Sequence, residues 1–281
     1  MMLYEKHYQK LEKIRWNMKD DIAWDTIQPE LITDAQIELV KNICMTEIGS
    51  LFATEAFIRD FNDNIDFSCF LSVWYYEEMK HFMVLKQYLS HLGVEITEDR
   101  LQQLRMTVPE SNQETILMIH FLSEHRLASW YLGLADWLEE PVGKDLFNKI
   151  AADEIRHGQA YFDYILLDIE RRPERMLNYL KTAQFMLSPR APLDLHAVTI
   201  TGSVDLLDDP KYILNMDEHI FTEERKKAAL TRMYSLVSHI AKETIEDYPT
   251  LSKFVKQLKR SLPPEVDTTT PEKIAAVAAA C

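Results

Sequence analysis

The chain is 281 residues long and 47% hydrophobic, with six glycines and a formal net charge of −14. That is ample apolar material for one large core, so few glycines leave room for long helices more than for many turns, and the acidic balance disfavours nucleic acid and anionic membranes as partners. Its three cysteines, Cys44, Cys69 and Cys281, are odd in number, scattered and free of any Cys-x-x-Cys pair, which excludes a disulfide framework and suits reduced thiols in the cytoplasm.

The N-terminus lacks an apolar leader, and no uncharged apolar run reaches the ~20 residues of a membrane span. We therefore expect a cytoplasmic protein with no membrane span. Alternating Val/Ile/Thr runs and hairpin signals are missing, so the fold class is all-α, a single helical domain over 1–281.

In chain order, residues 1–33 read as a short amphipathic helix and an irregular lead-in, with Thr33-Asp34 capping the next helix. That first long helix is expected over 35–61, from the helical spacing of Ile37, Val40, Ile43, Ile48, Leu51 and Phe52, ended by Asn62-Asp63-Asn64. A second covers 67–92 and stops at Gly93. A longer connection, 94–111, leads to a third helix that starts near Ser111-Asn112-Gln113-Glu114, a capping-box pattern, and runs to about 140. The fourth spans 143–171, ended by Pro173. The C-terminal part, 172–281, is a helical extension: 174–187, a break at 188–192, runs near 193–206, 210–221, 223–246 and 249–260, then a loose connection to an Ala-rich tail that either docks or frays.

The chemistry lies in two repeats of one spacing. Glu77-Glu78-Met79-Lys80-His81 and Asp153-Glu154-Ile155-Arg156-His157 each hold a Glu three residues before a His, inside helical runs. Residues three apart share a helix face, so each run offers a carboxylate beside an imidazole. The first and third helices each carry a mid-helix acid on an apolar stripe: Glu47 in line with Ile43 and Leu51, Glu124 with Leu117 and Leu127. A buried Glu is costly unless paired or metal-bound.

Glu47 and Glu78 are 31 residues apart, Glu124 and Glu154 are 30, and Glu78 and Glu124 are 46. Two antiparallel helices of roughly 25 residues joined by a short turn separate mid-helix positions by about 30. The pattern is short turn, long crossover, short turn, the connectivity of a ferritin-like four-helix bundle, here over 35–171. Glu47, Glu78, His81, Glu124, Glu154 and His157 would meet at one level. Four carboxylates balance two divalent ions, and mixed carboxylate and imidazole donors suit iron, with manganese as the alternative.

Glu-Glu-Met-Lys-His resembles the Glu-Glu-x-x-His motif of soluble acyl-carrier-protein desaturases, members of the ferritin-like non-haem di-iron superfamily. Asp-Glu-Ile-Arg-His resembles their Asp-Glu-x-Arg-His motif. The resemblance covers 35–171 and implies that the six residues above are iron ligands. It implies that Asp153 orients a ligand histidine, here His81, and that Arg156 supports a carboxylate. Three subfamily marks are absent. The Thr that desaturases and related hydroxylases place just after the third helix's Glu is replaced by Leu127 and Ala128. The radical Tyr of ribonucleotide reductase small subunits is Leu85, and the third His of arylamine N-oxygenases is Ile150.

Other side chains fall near this level. His120, one turn before Glu124, is read as a satisfied core histidine or a hydrogen-bonding neighbour of the ligands, with an added-ligand role as the alternative. Trp74 and Tyr161 are read as core, Cys44 as a buried thiol, Ser50 and Thr54 as helix packing or pocket lining. His125 and Arg126 are read as surface or interhelix contacts.

The expected function is a di-iron oxidase or oxygenase that activates dioxygen against a small, apolar organic substrate. Its expected partners are dioxygen, that substrate and an electron-donor protein, and a homodimer is compatible with the chain. The alternative is a non-catalytic iron or manganese protein for storage or structure. An acidic carrier suits a −14 chain only through a local basic patch such as Lys253, Lys256, Lys259 and Arg260.

Overall fold

The computed structural model describes residues 2–102, 110–189, 220, 222–263, 266 and 268–278. Among them there is no strand. The helices are α1 (Leu3–Ile14), α2 (Asp34–Glu47), α3 (Ser50–Asp60), α4 (Ile65–His91), α5 (Glu98–Gln102), α6 (Gln113–Trp137), α7 (Pro141–Arg171), α8 (Met176–Met186), α9 (Glu223–Ala241), α10 (Tyr248–Ser261) and α11 (Pro271–Ala278). The expected runs at 193–206 and most of 210–221, with much of the 188–192 break, lie outside the described residues.

Side-chain caps set most helix starts. Thr33 accepts from Gln36 N, and the Gln36 side chain returns to Thr33 N, a reciprocal box. Asn64 caps α4 through Phe67 N. Asn112, not Ser111, caps α6 through Thr115 N at 2.8 Å. The third helix ends at Trp137 and not near 140, because Glu140 belongs to the next element: it is the N-cap of α7, accepting from Val142 N and Gly143 N, with Pro141 in the first turn.

The bundle is built by α2 and α3 end to end, α4, α6 and α7. α6 packs along α7, α2 and α3 along α4, and α4 against α7. Short turns join α3 to α4 and α6 to α7, while the long crossover with α5 joins α4 to α6. This is the expected ferritin-like order. α1 lies on α4 and α7, with Asp66 of α4 accepting from Leu3 N and Tyr4 N.

In the C-terminal part, α8, α9 and α11 lean on α6, and α10 on α8. The tail docks: Asn112 donates to Thr269 at 2.7 Å, Asn178 donates to Thr268 at 3.0 Å, and Ile274 is buried. The run expected over 223–246 stops at Ala241, where Lys242 takes a left-handed conformation.

One expected helix is two. The 35–61 run breaks at Ile48 and Gly49, between α2 and α3. Its apolar spacing continues across the break, so periodicity gives no warning. Local polar groups take the carbonyls that an unbroken helix would use. The Thr46 hydroxyl donates to Ile43 O, Gly49 N to Thr46 O at 2.8 Å, and the Ser50 hydroxyl to Glu47 O at 2.6 Å. A Cβ at Gly49 would lie 2.8 Å from Thr46 O, so this tight turn needs glycine's bare Cα.

Candidate metal centre

Glu47 stands at the last position of α2, Glu78 and His81 near the middle of α4, Glu124 near the middle of α6, and Glu154 and His157 near the middle of α7. All six are buried. They form two groups able to hold a metal ion: Glu47, Glu78, His81 and Glu154, and Glu78, Glu124, Glu154 and His157, with donor atoms of each group within 4.8 Å of one another. Glu78 and Glu154 belong to both.

Both imidazoles turn Nδ1 inward. His81 Nδ1 is 3.6 Å from Glu47 Oε2 and 3.4 Å from Glu154 Oε1. His157 Nδ1 is 2.9 Å from Glu78 Oε1, 3.0 Å from Glu154 Oε2 and 4.0 Å from Glu124 Oε2. Glu154 therefore faces one histidine with each oxygen.

The outward nitrogens are held crosswise. His81 Nε2 pairs with Asp153 Oδ2 at 3.1 Å, and His157 Nε2 with Glu77 Oε2 at 3.2 Å. An acid on α7 orients the histidine of α4, and an acid on α4 orients the histidine of α7. Such contacts fix the ring and the tautomer, leaving the inner nitrogen's lone pair for a metal. Arg156 ties the two acids together, donating to Glu77 at 2.8 Å and to Asp153. Asp153 Oδ2 also takes the Trp16 indole N–H at 2.9 Å and lies 3.0 Å from the Lys80 ammonium, which sits over the Trp16 ring.

The terminal carboxylates are held too. Glu47 Oε1 accepts from the Tyr131 hydroxyl, and Glu124 Oε1 from the Trp74 indole at 3.2 Å.

Charge is out of balance without a cation. Six buried acids (Glu47, Glu77, Glu78, Glu124, Asp153 and Glu154) face two fixed cations, Lys80 and Arg156. Protons fill part of the deficit. Burial, then repulsion from Glu154, pushes the Glu78 carboxyl up to about 7. Burial, with Glu154 and Glu78, also raises Glu124. Burial opposes charge on both histidines, yet their acid neighbours outweigh it: Glu154, Asp153 and Glu47 raise His81, and Glu154, Glu77 and Glu78 raise His157. Burial opposes ionisation of Asp153 and Glu154 as well, and the neighbouring cationic groups hold both below the usual carboxylate range.

With those protons displaced, six acids against two fixed cations leave four negative charges (6 − 2), which two divalent ions would cancel. Glu78 Oε1, His81 Nδ1 and Glu154 Oε1 are buried without a hydrogen bond, a deficit that a metal at this level removes. The residues fit a pair of metal ions.

His120 joins neither group. Its ring lies among Phe57 at 4.5 Å, Tyr161 at 5.6 Å and Trp74 at 5.9 Å, and burial pushes it down to about 3. It is a neutral packing histidine one turn away from the donors. His125 and Arg126 are buried, not superficial; the His125 ring fits against Gly158 of α7, where a Cβ would come within 3.1 Å of it. The Cys44 thiol faces Phe82 O at 3.7 Å, and burial raises its pKa. Ser50 and Thr54 donate to backbone carbonyls in their own helical turns.

Sequence reasoning does not single out Glu77, Lys80, Trp16 or Tyr131 for these roles. Glu77 has a signal: it precedes Glu78 as Asp153 precedes Glu154. Tyr131 is seven residues after Glu124, two turns along the same face. Trp16 has none, since 137 residues separate it from its partner.

No protein-family profile matches the chain, and no curated protein matches it by sequence. Among solved structures it is similar to that of DesA2 from Mycobacterium tuberculosis H37Rv, a candidate acyl-ACP desaturase. The TM-score is 0.57 at 18% identity, over 90% of this chain and 96% of that one. The likeness establishes the fold, a ferritin-like helical architecture, well beyond the four bundle helices.

Proposed function

We propose that this chain is a non-haem di-iron oxidoreductase that uses dioxygen to oxidise a small, apolar organic substrate. The sharing of Glu78 and Glu154 between two buried four-donor groups is the observation that carries this reading. Glu47 and His81 would hold one ion, Glu124 and His157 the other, with Glu78 and Glu154 common to both. The donors are hard carboxylates and borderline imidazoles, which suit iron and accept manganese. When bound, the ion pair supplies the reduction of dioxygen and the oxidising power turned on the substrate.

The chain's own residues do the rest. Asp153 and Glu77 accept from the histidine Nε2 atoms and keep both Nδ1 atoms turned inward. Lys80 and Arg156 offset the outer acids, so that the inner four carboxylates are left for the metals. The half-exposed Trp16 indole, Asp153 and His81 form a hydrogen-bonded path from the surface, the route we assign to electrons from a donor protein. α10 exposes Lys253, Lys256, Lys259 and Arg260 and carries no acid. That face suits an acidic carrier bearing the substrate, as the name of the DesA2 structure suggests for that protein.

The test is oxygen uptake by protein loaded with ferrous iron, with and without acyl chains, free and carrier-bound. An enzyme consumes oxygen beyond the iron present and does so faster with its substrate. Uptake that stops once the ferrous iron is spent supports storage or a structural metal instead. Neither iron nor manganese in protein grown with both would overturn the reading.

A further inference from the structure

Glu47 differs from the other donors in its backbone. Glu78, His81, Glu124, Glu154 and His157 each have helix on both sides, whereas α2 ends at Glu47. The Glu47 carbonyl is taken by the Ser50 hydroxyl at 2.6 Å, and Ile48 and Gly49 pass through a tightened turn, Gly49 N donating to Thr46 O at 2.8 Å, before α3 begins. A donor at a helix end has lost part of the hydrogen-bonded frame that would fix its Cα.

Its side chain is fixed from elsewhere. Tyr131 lies two turns after Glu124 on the continuous α6, is 1% exposed, and packs its ring 5.7 Å from Phe147 and 5.8 Å from Trp130. Its hydroxyl donates to Glu47 Oε1, while Oε2 faces His81 Nδ1 at 3.6 Å. Glu124 is the contrast. Its Oε1 takes the Trp74 indole N–H at 3.2 Å, but its backbone is held mid-helix regardless.

We infer that Tyr131 is a positioning residue: it latches Glu47 from across the bundle, in place of the helical support that the Ile48–Gly49 break removes, and presents Oε2 alone to the ion at His81. This rests on the two-ion reading above. Loss of the Tyr131 hydroxyl leaves Glu47 Oε1 buried without a donor and the side chain free to swing. Loss of the Trp74 bond leaves Glu124 on a rigid backbone. The two ions therefore respond unequally to matched changes.

The experiment is a Co(II) titration of the full apo chain, following d–d absorbance, for wild type, Tyr131→Phe, Trp74→Phe and Gly49→Ala. Wild type binds two ions. Tyr131→Phe keeps one at wild-type affinity and binds the other about tenfold more weakly, the scale expected for loss of an outer contact to a ligand. The band of that weakened ion also changes, because Glu47 can then offer both oxygens. Gly49→Ala, whose Cβ would press on Thr46 O, affects the same ion, and Trp74→Phe changes either ion less than Tyr131→Phe does. Two unchanged ions in Tyr131→Phe, or two weakened equally, overturn the inference.

Hydrogen exchange of the wild-type apo chain is a second measure, independent of any variant's folding. Amides at 47–51 should exchange faster than those around 78–81; equal protection overturns the inference. A wild-type chain that binds no ion pair sinks the two-ion reading itself, an outcome visible before any variant is made.

Discussion

Asp153→Asn tests the site through its most heavily used outer group. Asp153 is fully buried and is contacted by His81 at 3.1 Å, Trp16 at 2.9 Å, Lys80 at 3.0 Å, and Arg156. Asparagine keeps the shape but replaces one oxygen with an amide donor. It thus faces a ring of donors with one acceptor and no charge. Lys80 is 7% exposed and cannot recover its lost partner from water. Breaking a buried pair in this way costs about 3–5 kcal/mol. For a chain of this size that is a fall of roughly 6–20 °C in Tm. Loss of the His81 acceptor should also weaken one ion by about 10–100-fold, or ~1.4–2.7 kcal/mol. Asp153 is held below the carboxylate range, so its stabilisation is present above its unfolded pKa and fades as pH falls through the folded value. The gap between variant and wild type should therefore be full at neutral pH and narrow in acid. Calorimetry of the apo forms and chelator-competition metal titration read both quantities. A variant that melts within ~2 °C of wild type and binds both ions equally well would refute this account of Asp153.

Glu77→Gln should weaken the other ion, the one at His157, by about tenfold; if the same ion suffers in both variants, the crosswise pairing is wrong. Apo stability should fall as pH rises from about 5 to 8. Glu78 goes from 4.5 to about 7 on folding, so its penalty grows through that window, and the raised histidines lose their stabilising charge as pH passes their folded values. The metal-loaded chain should gain stability over the same window, since metal competes with protons for these atoms; parallel curves for apo and loaded protein would contradict this. Tyr88→Phe removes the 2.6 Å donor to the fully buried Glu140, the cap of α7. It should cost about 1–3 kcal/mol in urea unfolding with no effect on metal binding; a metal effect would show that the cap and the centre are linked.

That the six candidate donors converge is legible because side chains brought together from helices need a spacing that sequence displays directly. Glu78 and His81 share a face, as do Glu154 and His157, and the separations from Glu47 and Glu124 follow from helix length alone. The bundle order is legible for the same reason. The outer contacts are not, because each joins two helices and depends on how they are rotated against each other. Trp74 and Tyr131 look like ordinary core aromatics on their own helices, and only packing turns Trp74 toward Glu124 and Tyr131 toward Glu47. The break after Glu47 is hidden by an apolar pattern that runs straight through it; Gly49-Ser50 is its one local mark. Glu140-Pro141 reads as an end and is a beginning, an acid cap with proline in the first turn.

The crosswise pairing explains why one Glu-x-x-His says little and two say much. Each motif here supplies three different parts: a Glu common to both four-donor groups, an imidazole for one group, and an acid that orients the other motif's imidazole. Glu77 and His81 share a helix face, yet Glu77 serves His157 and Asp153 serves His81. A single motif would leave its histidine with no acceptor behind it and its leading acid with nothing to orient. Both would then be ordinary surface residues, and solvent would satisfy them. Burying them requires the second copy, and burying both copies concentrates more negative charge than Lys80 and Arg156 offset. The demand for cations is thus a consequence of doubling the motif, and it is already written in the acid that leads each run.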